Sequence, residues 1–225
     1  MKNKKRLERQ YLRETATPVG KLMFDTFCPK MANLVDTFVE THRAYKKACF
    51  FEFLAGLAID PKSNKLLQED IDKLQQELLD KENDQVISNI LDAVFFSTNL
   101  TCRLILSIIA RTYLEKDLLD YEDLVLVIAL KDLLDVDLDI FKLFYAMKPV
   151  SSNLDNETCI LDSYSMYQRI VLEKLQNLNI LGKDLAGSRF GGTTLRFQKT
   201  TVSDKLMKYL NLVETILDNQ HNSLT

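Results

Sequence analysis

Only six glycines and four prolines punctuate the 225 residues of this sequence, and the intervals between them are rich in Leu, Lys, Glu, Asp and Gln. Such residues give up little rotamer freedom in a helix, whereas Gly and Pro interrupt one. The chain is therefore expected to be mainly α. Hydrophobic residues make up 46% and charged residues 27%, which is ordinary globular usage and argues against a disordered or fibrous chain. A chain of this length can bury a real core, as one large helical domain or as a helical body with a smaller module.

Apolar periodicity places the helices. Leu34, Val35, Phe38, Tyr45, Ala48, Cys49, Phe53, Leu54 and Leu57 recur at three- and four-residue steps, which predicts a helix from Met31 that stops before Asp60-Pro61. A second, surface helix is expected through Leu66, Leu67, Ile71, Leu74, Leu78 and Leu79. A third starts at Asn83 or Asp84, continues or breaks near Ser97 to Asn99, and ends at Leu114. Its later half is apolar on most faces and should be central. Further helices are expected over Tyr121–Leu134, from an Asp137 cap to Met147, and over Asp162–Asn177, with a polar loop from Lys148 to Glu157. Then the texture changes. A Gly-rich stretch, Ala186 to Gly192, precedes the alternating Thr193-Thr194-Leu195-Arg196-Phe197-Gln198, which predicts a small β-hairpin. A last amphipathic helix carries Val202, Leu206, Tyr209, Leu210, Val213, Ile216 and Leu217.

Several function classes recede on composition. The four cysteines, Cys28, Cys49, Cys102 and Cys159, form no C-x-x-C pair, and there are two histidines, His42 on a helix and His221 in a polar tail that reads as disordered. A zinc site would lack its usual ligand spacing, and reduced, buried thiols are expected. The most apolar stretch, Leu91 to Ala110, contains Asp92, Asn99 and Arg103, so it predicts a buried helix rather than a membrane span. No apolar run follows the basic start MKNKKRLERQ, and a cytoplasmic protein without membrane contact is the expectation. Charge is uneven: residues 1–50 carry 11 basic and 5 acidic side chains, residues 51–160 carry 10 and 21, and residues 161–225 carry 8 and 6. An acidic middle repels nucleic acid while either end can approach it, and opposite ends of two copies can meet head to tail.

The C-terminal elements have a recognisable order. Leu130-Lys131-Asp132-Leu133-Leu134 precedes Asp137-Leu138-Asp139-Ile140-Phe141; Ile170-Val171-Leu172-Glu173-Lys174-Leu175 leads to the turn Leu178-Asn179-Ile180-Leu181; Leu195-Arg196-Phe197 runs into Thr200-Thr201. Over residues 120–215 this resembles a winged helix-turn-helix, a resemblance of pattern without a diagnostic motif. It implies residues 1–118 as a helical body with a basic N-terminal arm and residues 119–225 as a winged-helix-like module with a closing helix. It also implies a nucleic-acid surface made of Arg169 and Lys174 on the third helix and Lys183, Arg189, Arg196 and Lys199 around the wing. Asp162 and Glu173 dilute that footprint. The alternative for these cations is a solvated face on a module that contacts protein.

No catalytic arrangement emerges. Asp132, Asp135, Asp137 and Asp139 lack the glycine and glutamate of an EF-hand loop. A helix cap with neighbouring first-turn charges in water accounts for them. AGSRFGG lacks P-loop spacing, and a nucleophile–histidine pair would rest on His42 alone. The run Phe50-Phe51-Glu52-Phe53 cannot all face one way on a helix, so another helix or another subunit must cover part of it. The first expectation is a non-enzymatic adaptor or assembly protein of bacterial or phage origin, with no cofactor and no metal, acting on a protein partner or on itself as a homo-oligomer. A DNA-binding regulator is the alternative, and an enzyme with a carboxylate site at Asp132–Asp139 is third.

Overall fold

A computed structural model describes residues 44–58, 84–146, 158–160, 165–187 and 193–222, together with Gln76 and Asp80. The helix expected through Leu66–Leu79, the polar loop after Lys148, and His42, Cys28 and Arg189 lie outside these residues.

Helix α1 (Ala44–Ala58) packs most extensively against α3 (Leu100–Lys116), and α2 (Gln85–Phe96) packs on both. The interruption expected near Ser97 to Asn99 is a real break with its own chemistry. Asp84 caps α2 by accepting from Val86 N and Ile87 N at 2.8 and 3.1 Å, and Asn99 caps α3 by accepting from Cys102 N at 2.7 Å. The Asn99 amide also donates to the Leu133 carbonyl at 2.9 Å, tying this break to a second turn 34 residues on. As its all-round apolar sequence suggests, α3 is central: every residue from Cys102 to Ala110 is buried.

Burial on all sides carries polar groups inward with it. Glu52 and Arg103 are 4% and 6% exposed and meet at 2.5 Å, and Arg103 also donates to the Ser97 carbonyl at 2.9 Å. A buried charge needs such partners. Where α1 crosses α3, Gly56 leaves the room that Ser107 occupies: a Cβ on Gly56 would lie 2.1 Å from Ser107 Oγ. The run Phe50-Phe51-Glu52-Phe53 is covered entirely within the chain, with its aromatics 0%, 9% and 0% exposed. Of the two alternatives the sequence left open, another helix or another subunit, the first accounts for the cover, since α1 packs against α2 and α3.

Helix α4 (Tyr121–Leu130) ends earlier than the expected Leu134, at a turn over Lys131 to Leu134. Helix α5 (Asp135–Ala146) follows. Asp137 is not its cap. It lies within the first turn and reaches back to accept from Leu134 N at 2.9 Å, the inner half of a capping box. Helix α6 (Met166–Asn177) has a complete capping box, Ser165 with Gln168. Its C-terminal turn places Asn179 at a φ of 60°, a conformation asparagine tolerates.

Three short strands accompany these helices. Strand β2 (Gly182–Gly187) pairs antiparallel with β3 (Thr193–Gln198), and β1 (Thr158–Ile160) pairs with the other edge of β3, in the order β1-β3-β2. Strand β1 carries no sequence signal of its own, since three residues are too few to establish an alternation. Helix α7 (Thr201–Asn222) then returns to α3 and α4. It includes His221, which the sequence assigned to a disordered tail. One contiguous apolar cluster runs from Cys49 in α1 to Val213 in α7. Among the described residues the protein is mainly helical, and no helix is long and apolar enough to cross a membrane.

Candidate functional site

The surface to which the sequence assigned its cations is built on α5, α6, the strands and the start of α7. Apolar packing sets it: Leu138, Phe141 and Phe144 of α5, Val171, Leu172 and Leu175 of α6, and Ile180, Leu181 and Phe197 are all buried. Lys174 Nζ lies 2.5 Å from Asp137 Oδ2, a carboxylate only 4% exposed, so this cation is spent on holding α6 to α5. Lys199 stands 4.4 Å over the ring of Tyr145, a cation–π contact. The Tyr145 hydroxyl donates to Asp204 of α7 at 2.8 Å. Arg169 is half-buried on α6. In the sheet, Lys183 stands opposite Phe197, and Arg196 opposite both Asp184 and Ile160. The six expected cations thus divide: Lys174 and Lys199 make contacts within the fold, Arg169 is half-buried, Lys183 and Arg196 are strand positions, and Arg189 is outside the described residues.

What α6 shows to solvent is apolar at its start. Met166, Tyr167 and Ile170 are 80%, 53% and 54% exposed. Helix α4 goes further. All its exposed side chains are apolar or aromatic: Tyr121, Leu124 and Ile128, at 67%, 44% and 63%. Contiguous exposed apolar residues at helical spacing are a feature of contact surfaces. Nothing in the sequence marks the α4 row, because from Leu124 to Leu130 every residue of α4 is apolar and periodicity cannot then separate the outward face from the inward one.

A buried polar lock fixes the inner face of α4 to α7. Asp123 is 1% exposed, accepts from the Tyr209 hydroxyl at 2.8 Å and pairs with Lys205 at 2.8 Å; Lys205 also pairs with Asp120, the N-cap of α4. Burial holds the Asp123 carboxyl above its ordinary value against the opposing pull of Lys205 and Tyr209. Burial would lower the Lys205 ammonium, but hydrogen bonds to Asp120 and Asp123 outweigh it and hold it above its usual range. Burial and the bond to Asp123 push the Tyr209 phenol upward. Every group here has a partner within the fold, so the cluster reads as a structural device.

The acidic run separates likewise. Asp132, Asp135 and Asp139 are exposed, while Asp137 is buried against Lys174. Among the described residues no group of three or more His, Cys, Asp or Glu side chains is arranged to hold a metal ion. Of the cysteines, Cys159 is a strand position of β1 opposite Phe197, while Cys49 and Cys102 are buried thiols, and burial pushes the Cys102 thiol up to about 12, away from thiolate chemistry. Comparisons with protein-family models, with curated proteins and with solved structures give no match to the chain.

Proposed function

We propose that this chain is a non-enzymatic helical interaction protein that acts through protein–protein contacts. The observation that carries the reading is the pair of outward apolar rows, Tyr121, Leu124 and Ile128 on α4 and Met166, Tyr167 and Ile170 on α6. A soluble chain gains nothing from leaving six large apolar side chains in water on two helices, and partner contact is the usual reason for such a surface. The engagement of Lys174 by Asp137 and of Lys199 by Tyr145 supports the same reading, since a phosphate-binding face keeps its cations available. The experiment is light scattering over a concentration series together with affinity capture by the full chain. Exchange of Tyr121, Ile128, Met166 and Ile170 for serine is expected to reduce the assembled mass or the captured partner. A strictly monomeric mass with no partner captured would overturn the reading.

A second reading rests on the sequence resemblance: residues 119–225 form a winged-helix module that binds DNA. Arg169, Lys183, Arg189, Arg196 and Lys199 would then supply the phosphate contacts. Under that reading binding weakens steeply with salt, and replacing Arg189 and Arg196 by alanine lowers the salt slope by about 2. Absence of any mobility shift on genomic fragments at low salt excludes it.

A further inference from the structure

The outward face of α4 combines two features that specify what covers it. Leu118, 72% exposed, stands just before the helix and extends the row of Tyr121, Leu124 and Ile128 at three- and four-residue steps, the spacing on which an amphipathic segment docks. The charge around that row is one-sided. Residues 115–139 hold nine carboxylates and two ammonium groups; Asp123 and Asp137 are buried in ion pairs with Lys205 and Lys174, while Asp132, Asp135 and Asp139 are exposed. A second copy of the same face would set carboxylate against carboxylate.

The complementary segment is in the chain itself. Residues 1–13 carry six cations, Lys2, Lys4, Lys5, Arg6, Arg9 and Arg13, against one carboxylate, Glu8, and they contain Leu7 and Tyr11 four residues apart. Thirty residues, 14–43, separate this segment from α1. Covalent attachment raises the local concentration of a segment around its own chain, which favours the segment of the same chain over that of another copy.

We infer that the exposed row of α4 is the docking surface for the basic segment 1–13 of the same chain, seated by Leu7 and Tyr11 on the apolar row and by its cations on the bordering carboxylates. This rests on the reading of α4 as a contact face and adds its occupant, which any external partner must displace.

The test is zero-length carbodiimide cross-linking of the dilute full-length chain, as an equal mixture of unlabelled and nitrogen-15-labelled protein, read by mass spectrometry. The expected products join Lys2, Lys4 or Lys5 to carboxylates between residues 115 and 135, with the same label on both peptides. Their yield falls about tenfold in Tyr121→Ser/Ile128→Ser, and equally in Arg6→Glu/Arg9→Glu, which keeps every lysine. Circular dichroism confirms that both variants fold. Absence of these products, products only between differently labelled copies, or yields unchanged in both variants would each overturn the inference. If the products are absent while Tyr121→Ser/Ile128→Ser still alters the mass seen by light scattering, the occupant is wrong and the contact face stands.

Discussion

Lys174 Nζ sits 2.5 Å from Asp137 Oδ2, and Asp137 in turn accepts from the backbone N–H of Leu134, so one buried carboxylate joins the third helix of the C-terminal region to the first turn of α5. The sequence offered Lys174 as a phosphate contact. The structure employs it internally.

Replacing Lys174 by alanine is expected to leave the Asp137 carboxylate buried with a single donor. A broken buried pair costs about 3–5 kcal/mol, but Lys174 is about a third exposed, and solvent screening reduces this to about 1–2 kcal/mol. Urea unfolding of Lys174→Ala measures it, and Asp137→Asn should recover part of the loss by keeping the bond to Leu134. A Lys174→Ala variant as stable as the parent refutes the role.

Glu52 and Arg103 are both nearly inaccessible, so the single change Glu52→Ala strands a guanidinium in the core. The expected cost is about 3–5 kcal/mol. The double change Glu52→Leu with Arg103→Met should cost less than either single change, which a double-mutant cycle reads directly. Simple additivity would show that the two side chains act independently.

The α1–α3 crossing makes a steric prediction. Gly56→Ala places a methyl group 2.1 Å from Ser107 Oγ and 2.8 Å from Ser107 Cβ, and overpacking of this kind costs about 1–3 kcal/mol. Adding Ser107→Gly should return much of that loss. Thermal unfolding decides it: if Gly56→Ala melts with the parent, the helices are not held at this separation.

The Tyr113 hydroxyl donates to Asp84 at 2.6 Å, and this bond, with burial, pushes the phenol up to about 12. A raised phenol favours the protonated form in the fold, so its stabilising contribution is complete below the ordinary value of 10 and is lost as pH rises through about 12. Tyr113→Phe is therefore expected to cost about 1 kcal/mol at neutral pH, and the difference should close between pH 10 and about 12. Stability curves that stay parallel across that range would contradict the assignment.

Some helix boundaries were readable where a polar cap met an apolar period, although α6, expected from Asp162, begins at Met166 behind its Ser165 cap. Asp84 was one of two residues proposed to start α2, and Ser97 to Asn99 marked its separation from α3. The same logic misplaced Asp137, because a side chain reaching back from the first turn has the same composition signature as one standing before it. Strand β1 was invisible because Thr158-Cys159-Ile160 acquires its identity from β3. The outward row of α4 was hidden for a different reason: from Leu124 to Leu130 the helix is apolar inside and out, so only the packing of α7 against Asp123 reveals that Tyr121 and Ile128 point the other way. The pairing of Glu52 with Arg103, 51 residues apart, is likewise tertiary.

The Asn99 side chain grips the carbonyl of Leu133 while its oxygen opens α3. Two loops distant in sequence thereby share one fastening. An insertion or deletion at residues 97–99 or 131–134 is expected to pull the Asn99 amide off the Leu133 carbonyl, so a length change in either loop is felt in the other.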